Sequence, residues 1–171
     1  MVAPGGKPRT IEASSLTPEG WSPFGWVPVP DTDPGDGLRT LEFQWADPHV
    51  NIIGHARDEV PELPDGLRCM MLYRHATHTQ VLMPIDHRCV IAVAPSGLTF
   101  DSEDAVSRVQ AFVIEPLESI VLDRGTWHWG PFPTEAPMVH LFNVQGLRYA
   151  EDNEMVDLTE RAVAVDVILP G

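Results

Sequence analysis

Residues 67–94 read LRCMMLYRHATHTQVLMPIDHRCVIAVA. The stretch holds three short apolar runs, at 67–73, 79–83 and 88–94, which polar segments separate. Such runs, bounded by turn-forming residues and lacking a helical period, are typical of β-strands. Similar runs occur at 39–45, 50–55, 108–114, 119–122, 138–145 and 162–169. Nine short strands predict an all-β protein whose sheet closes into a barrel or jelly roll, because closure removes exposed strand edges. An open two-sheet sandwich is the alternative.

The N-terminal region contains one helix signal. Thr17 can cap a helix that begins at Pro18, with Glu19 in the first turn, while Pro23 and Gly25 end it early. We therefore predict a single short helical turn, preceded by a flexible arm at residues 1–14. The 171 residues suit one domain, which we place at 15–171.

Composition limits the partners. The chain has 25 acidic and 11 basic residues, a formal charge of −14, and so repels nucleic-acid phosphates and anionic lipid headgroups. We expect no nucleic-acid or membrane partner, and an anionic substrate would need a local arginine or metal ion. Cys69 and Cys89 lie in apolar runs, which favours buried, reduced thiols. With no apolar signal segment at the N-terminus, we expect the protein in the cytoplasm.

Two separated stretches carry polar side chains that can share one cavity. Tyr73 and His75 are two residues apart on a predicted strand and therefore face the same way. A turn then brings Gln80 back beside them, and Gly125 allows a tight bend before His128 enters from a second sheet. These spacings resemble the two metal-binding motifs of the cupin fold.

Over a longer span, the sequence resembles the ureidoglycolate lyase family, which has the cupin fold. The resembling segments are LTPEGWSPFG (16–25), YRHATHTQVLMP (73–84), VIAVAP with VQAF (90–95 and 109–112) and LDRGTWH (122–128). The resemblance implies a homodimeric lyase that cleaves ureidoglycolate to glyoxylate and urea in the allantoin branch of purine catabolism. Two other functions stay open: an enzyme acting on another small hydroxy or keto acid, and a non-catalytic cupin that binds a small acid.

The resemblance also implies roles for particular residues. His75, Gln80 and His128 would bind a divalent metal ion, with nickel the first expectation and zinc, manganese or iron as alternatives. His75 or His128 would otherwise act as the catalytic base. Tyr73 stands where the family has another residue, and its phenol could donate a proton or take the place of a lost ligand. The predicted substrate-binding residues are Gln80, Arg124 and Arg74, the arginines being suited to a carboxylate.

Three positions depart from the family motifs: Tyr73 replaces a glutamate, Asp123 replaces a histidine, and Trp129 replaces a second histidine. The candidates to replace the lost groups are His78 and Asp123.

Several residues also have a plainer interpretation. Arg74 follows an inward-facing residue and is expected in a surface ion pair, and His78 is expected to be solvated in a turn. The acidic run 151–154 reads as a solvated loop. We also expect two further histidines and two tryptophans to have structural roles, namely His87, His140, Trp127 and Trp129.

Overall fold

The computed structural model describes residues 6–28, 40–44 and 47–171. The described chain is mostly β, and its sheets curl toward a barrel, which confirms the predicted all-β cupin-type jelly roll with a short N-terminal helix. Within this part, no helix combines the length and the apolar character needed to cross a membrane.

Fourteen strands and two short α-helices follow one another along the described chain. The strands are β1 (Arg9–Ser15), β2 (Gly25–Trp26), β3 (Pro48–Ala56), β4 (Glu62–Leu63), β5 (Gly66–Cys69), β6 (Met71–Arg74), β7 (Gln80–Pro84), β8 (Cys89–Ala94), β9 (Gln110–Ile114), β10 (Ile120–Leu122), β11 (Trp127–Pro133), β12 (Met138–Gly146), β13 (Glu154–Asp157) and β14 (Val165–Ile168). The helices are α1 (Pro18–Trp21) and α2 (Leu158–Arg161). Short 3-10 turns span Arg57–Glu59, Glu103–Arg108 and Tyr149–Glu151.

The strands form two sheets. The larger has the order β13-β6-β11-β8-β9-β1-β14-β5-β4, and the smaller has the order β2-β10-β7-β12-β3. Strand β8 is buried along its whole length. Because successive side chains of a strand point to opposite faces, Ile91 and Val93 join a core shared by both sheets, while Val90 and Ala92 join a second core. The second core contains residues of the larger sheet, α2 and the 98–109 segment.

Helix α1 begins as predicted. The Thr17 side chain accepts a hydrogen bond from the Gly20 N–H, and Pro18 is the first helical residue. Trp21 is fully buried, with its ring centroid 5.4 Å from that of Phe112. This contact anchors the helix to the core between the sheets.

Most predicted strands are found within a few residues of their expected ends. The run at 67–73 is instead broken at Met70, where β5 ends and β6 begins. Of the run at 39–45, residues 39 and 45 lie outside the described residues, and Phe43 forms an isolated bridge with His78. Both cysteines are free and buried, as expected.

The predicted N-terminal arm is wrong for residues 9–14. These residues belong to β1, which pairs in parallel with β14 on one side and β9 on the other. The strand has few apolar residues and therefore gives only a weak sequence signal. Backbone pairing to two neighbouring strands holds it in place. Strands β11 and β13 were also absent from the predicted set.

Candidate functional site

A cavity of about 230 Å³ lies between the two sheets. His75, Gln80 and His128 all line it, so the structure brings together the three residues that the sequence spacing singled out. His75 follows β6, Gln80 begins β7 and His128 lies on β11. All three are buried. The other lining residues are Ile53, His55, Tyr73, Leu82, Trp129, Gly130, Phe132, Tyr149 and Asn153.

Backbone carbonyls fix the orientation of two imidazoles. His75 Nδ1 lies 3.1 Å from the Asp152 carbonyl oxygen, and His128 Nδ1 lies 3.1 Å from the Thr126 carbonyl oxygen. A carbonyl oxygen can only accept, so each Nδ1 carries the proton and each Nε2 keeps a lone pair. Both rings are therefore oriented to accept a proton or to bind a cation through Nε2.

Burial keeps these imidazoles neutral. It lowers the pKa of His128 to about 4, and repulsion from the nearby His75 ring acts in the same direction. Burial also lowers the pKa of His75, more than its contacts with Asp152 raise it. The two ring centroids are 5.6 Å apart, which explains why protonating one ring disfavours protonating the other.

Gln80 is held by a chain of amides. Its Nε2 donates to Asn143 Oδ1 at 2.9 Å, and Asn143 Nδ2 donates to Asn51 Oδ1 at 2.8 Å. Gln80 Oε1 is buried and has no hydrogen-bond partner within the described part of the chain. A buried acceptor of this kind is costly unless a ligand or water supplies a donor.

Tyr73 lines the same cavity and lies opposite His128 in the β6–β11 register. Strand β11 has a register shift between Trp129 and Phe132, where Gly130 has a φ of +88°. Such a bulge bends the strand and re-aims neighbouring side chains. Trp129 and Gly130 both line the cavity as a result of this path.

The structure does not bring the two arginines to the cavity. Arg74 forms an ion pair with Glu154, and its guanidinium lies 4.4 Å from the Trp127 ring centroid. This agrees with the surface ion pair expected for Arg74. Arg124 forms a half-exposed ion pair with Glu42, with Nε and Oε2 3.0 Å apart, in a separate polar groove. Their assignment to the substrate stays a prediction that this geometry does not support.

Two residues that we interpreted as solvated are buried at the site. His78 is 3% exposed and Asp152 is 7% exposed, so both interpretations are wrong. The Asp152 carboxylate accepts hydrogen bonds from the backbone N–H groups of Ala76 and Thr77, at 3.1 and 2.8 Å, and from the Thr77 hydroxyl. It thereby fixes the turn that carries His75 and His78. No local pattern in the run 151–154 distinguishes Asp152 from its exposed neighbours.

His78 packs tightly against its surroundings. Its ring stacks on that of His75 with a centroid distance of 4.5 Å, and its Nδ1 lies 3.3 Å from Asp152 Oδ2. A Cβ added at Gly146 would lie only 2.8 Å from His78 Nδ1, so glycine is required there for the ring to fit. Burial and repulsion from the His75 ring together lower the pKa of His78 to about 4, against the opposing effect of Asp152.

The buried cluster of His75, His78 and Asp152 fits a cation. One ligand atom from each residue lies within 4.8 Å of the others. Burial alone would raise the pKa of Asp152, but its hydrogen bonds to Thr77 and Ala76 lower it on balance, so the carboxylate is charged. Two neutral imidazoles and a carboxylate suit a borderline divalent metal. The cluster shares only His75 with the metal set expected from the sequence.

The other histidines and tryptophans discussed in the sequence analysis lie at the surface or pack in the core near the cavity. His140 pairs with Asp86 at the surface, and His87 is exposed. Trp127 and Trp129 are buried, as expected for packing residues, although Trp129 also contacts the cavity.

Comparison with known proteins identifies one family. The family model described as ureidoglycolate lyase matches residues 38–167, which is more than half of the chain. No curated protein matches the chain. The matched range includes every cavity-lining residue and the whole His75, His78 and Asp152 cluster.

Proposed function

Because the chain belongs to the ureidoglycolate lyase family, we propose that it cleaves ureidoglycolate to glyoxylate and urea. The observation that carries the proposal is the cavity in which two buried, neutral imidazoles, one directly after β6 and one on β11, each keep a free Nε2. The reaction would belong to allantoin breakdown, as the family suggests.

The proposed chemistry is a net proton transfer from oxygen to nitrogen. A base takes the hydroxyl proton, the carbon–oxygen double bond forms, the carbon–nitrogen bond breaks and the departing urea nitrogen receives a proton. We assign the base to His128, since its Nδ1–H is held by Thr126 and its neutral Nε2 can accept the proton. The resulting imidazolium can return that proton to the nitrogen, so no water is consumed.

Gln80 and Tyr73 are suited to positioning the substrate. The unpartnered Gln80 Oε1 can accept a hydrogen bond from a urea N–H group, and binding would satisfy that buried oxygen. The Tyr73 phenol can donate to the carboxylate or to the developing carbonyl oxygen. His75 lines the same cavity and can accept a hydrogen bond from the substrate at Nε2.

The substrate carboxylate needs positive charge, yet no arginine or lysine is among the residues that line the cavity in the described chain. A bound divalent cation would supply that charge and stabilise the developing oxyanion. We keep nickel as the first expectation, with zinc, manganese or iron as alternatives, and the predicted set of His75, Gln80 and His128 is one way to hold it.

The test is release of glyoxylate and urea from ureidoglycolate, with added nickel or manganese, by the wild-type protein and by His128→Ala. We expect turnover to fall by about 10²–10⁴-fold, because the base is lost. His87→Asn, at an exposed position away from the cavity, is the matched control and should keep the wild-type rate. Equal rates for wild type and His128→Ala would remove His128 from the mechanism. Turnover of another small hydroxy or keto acid with ureidoglycolate inert would overturn the proposed reaction.

We also propose that the protein is a cytoplasmic homodimer. Two free, buried cysteines support a reducing location. Exposed apolar side chains on β3 support self-association, since Val50 and Ile52 are both more than half exposed.

A further inference from the structure

We propose that His75, His78 and Asp152 form the cation site of this protein, with Asp152 supplying the carboxylate. The inference deepens the proposed function and rests on it, because the cation would serve the same cavity through the shared residue His75. It differs from the sequence-based metal set by placing two ligands, His78 and Asp152, that spacing alone did not select.

The strongest geometric support is the distance between two donor atoms. His78 Nδ1 and Asp152 Oδ2 lie 3.3 Å apart. Nitrogen and oxygen ligands at about 2.1 Å from a common ion are themselves roughly 3.0–3.4 Å apart in octahedral or tetrahedral geometry. The pair therefore has the spacing of two ligands already. A cation bound between them would replace the proton that otherwise joins the two atoms.

A second observation points to the same ring. His78 Nε2 is buried without a hydrogen-bond partner in the described part of the chain. In the hydrogen-bonded form Nδ1 carries the proton and Nε2 is an unsatisfied acceptor. Since no neighbouring group among the described residues accepts from or donates to Nε2, the single ring proton can lie on either nitrogen, and with the proton on Nε2 the Nδ1 lone pair would be available to a cation beside Asp152 Oδ2. Because His78 is almost fully buried, the ring has no alternative partner in solvent.

The surroundings prepare the site for a positive ion. The Ala76 and Thr77 N–H groups and the Thr77 hydroxyl orient the Asp152 carboxylate, as outer partners of metal-binding carboxylates do. Gly146 leaves the space that the His78 ring occupies. The net charge of −14 also favours a cation over any anion at a buried site.

The experiment is a titration of the chelator-treated full chain with Co²⁺, followed by visible absorption and by calorimetry in the absence of substrate. We expect one equivalent to bind to the wild-type protein. His78→Asn keeps a side-chain N–H that can donate to Asp152 but removes the imidazole, and Asp152→Asn removes the charge. Each should weaken binding by about 100-fold or more. His87→Asn is the matched control and should bind like the wild type.

A variant that fails to fold is recognised by thermal unfolding, so a measurement on the wild type accompanies the titration. Paramagnetic Co²⁺ should broaden the imidazole NMR signals of His75 and His78 and leave that of His87 sharp. The inference is overturned if no Co²⁺ binds, or if His78→Asn binds normally while His128→Ala does not. A protein that binds Co²⁺ through these residues but leaves ureidoglycolate intact would keep the cation site and refute only the proposed reaction.

Discussion

Buried histidines whose Nδ1 atoms are tied to backbone carbonyls set the chemistry of this cavity. His75 and His128 are each oriented by one carbonyl oxygen, from Asp152 and Thr126 respectively. The orientation does not depend on an external ligand, so the cavity presents two neutral Nε2 atoms in the unliganded protein. Removing either ring removes one of these Nε2 atoms from the cavity.

The depressed histidine pKa values predict acid sensitivity. The folded-state pKa of His128 is about 4, whereas an exposed histidine has a value near 6.5. Between these values the unfolded chain binds a proton that the folded chain excludes. The free energy of unfolding should therefore fall as the pH drops from about 6.5 toward 4, by up to about 1.4 kcal/mol per pH unit for each such histidine.

Urea unfolding at several pH values, with a chelator present, checks this expectation. His128→Phe removes one of the titrating rings and should flatten the dependence, while His87→Asn should leave it unchanged. A stability that is constant from pH 7 to pH 4.5 would show that the buried rings take up protons in the folded protein as readily as in the unfolded chain.

The sequence singled out His75, Gln80 and His128 because strand alternation and motif spacing act over a few residues. It could not select Asp152, which lies 77 residues from its hydrogen-bond partner His75. An acidic residue in a polar segment is ordinarily solvated. Asp152 is buried because of the path that the chain takes after β12. For the same reason His78, in a turn, was interpreted as exposed.

At the level of single elements, β1 shows how backbone pairing can outweigh a weak pattern. Its burial pattern contains one buried side chain, that of Ala13, which pairs with Ala111 of β9. The strand nevertheless bridges β9 and β14 and so joins two parts of the larger sheet. Residues 9–12 pair with β14 and residues 13–15 pair with β9, so each half of the strand has a backbone partner.

Ala13→Glu tests the structural importance of β1. The new carboxylate would be buried without a partner, which should cost roughly 3 kcal/mol or more of the free energy of unfolding. Ser14→Glu is the matched control, since the neighbouring position is exposed and faces the other way. Chemical unfolding of both variants measures the difference. Equal free energies of unfolding for the two variants would show that residues 9–14 are a dispensable arm.

Strand β11 was missed for a different reason. Its sequence, WHWGPFP, contains a glycine and two prolines, which ordinarily interrupt strands. The structure accommodates them at a register shift against β8. The bulge therefore explains both the misleading pattern and the presence of Gly130 at the cavity wall.

For the whole molecule, the outer face of the smaller sheet is the best candidate for a contact between two copies. Strand β3 is the last strand of that sheet among the described elements. Val50 lies opposite Val144 and Ile52 opposite Phe142, so the apolar surface continues across two strands. Two chains of charge −14 repel each other, and an uncharged face is where they can meet at least electrostatic cost.

Light scattering at physiological salt tests the homodimer. We expect the wild type to scatter with twice the mass of the 18.9 kDa chain and Ile52→Lys to scatter as a monomer. Leu117→Lys is the control, because Leu117 is apolar and 68% exposed but lies in a turn away from β3. A wild-type mass of 18.9 kDa would refute the dimer, and a dimeric Ile52→Lys would move the interface elsewhere.

The sequence by itself determined the all-β class, most strand positions, the capped helix at Thr17 and the grouping of His75, Gln80 and His128. These features follow from alternation, turn residues and caps, which act between near neighbours. Only the tertiary structure decided that β1 is a strand, that Arg74 and Arg124 lie outside the cavity, and that Asp152 and His78 are buried beside His75. Those outcomes depend on contacts between distant segments, whose burial and pairing no short stretch of sequence encodes.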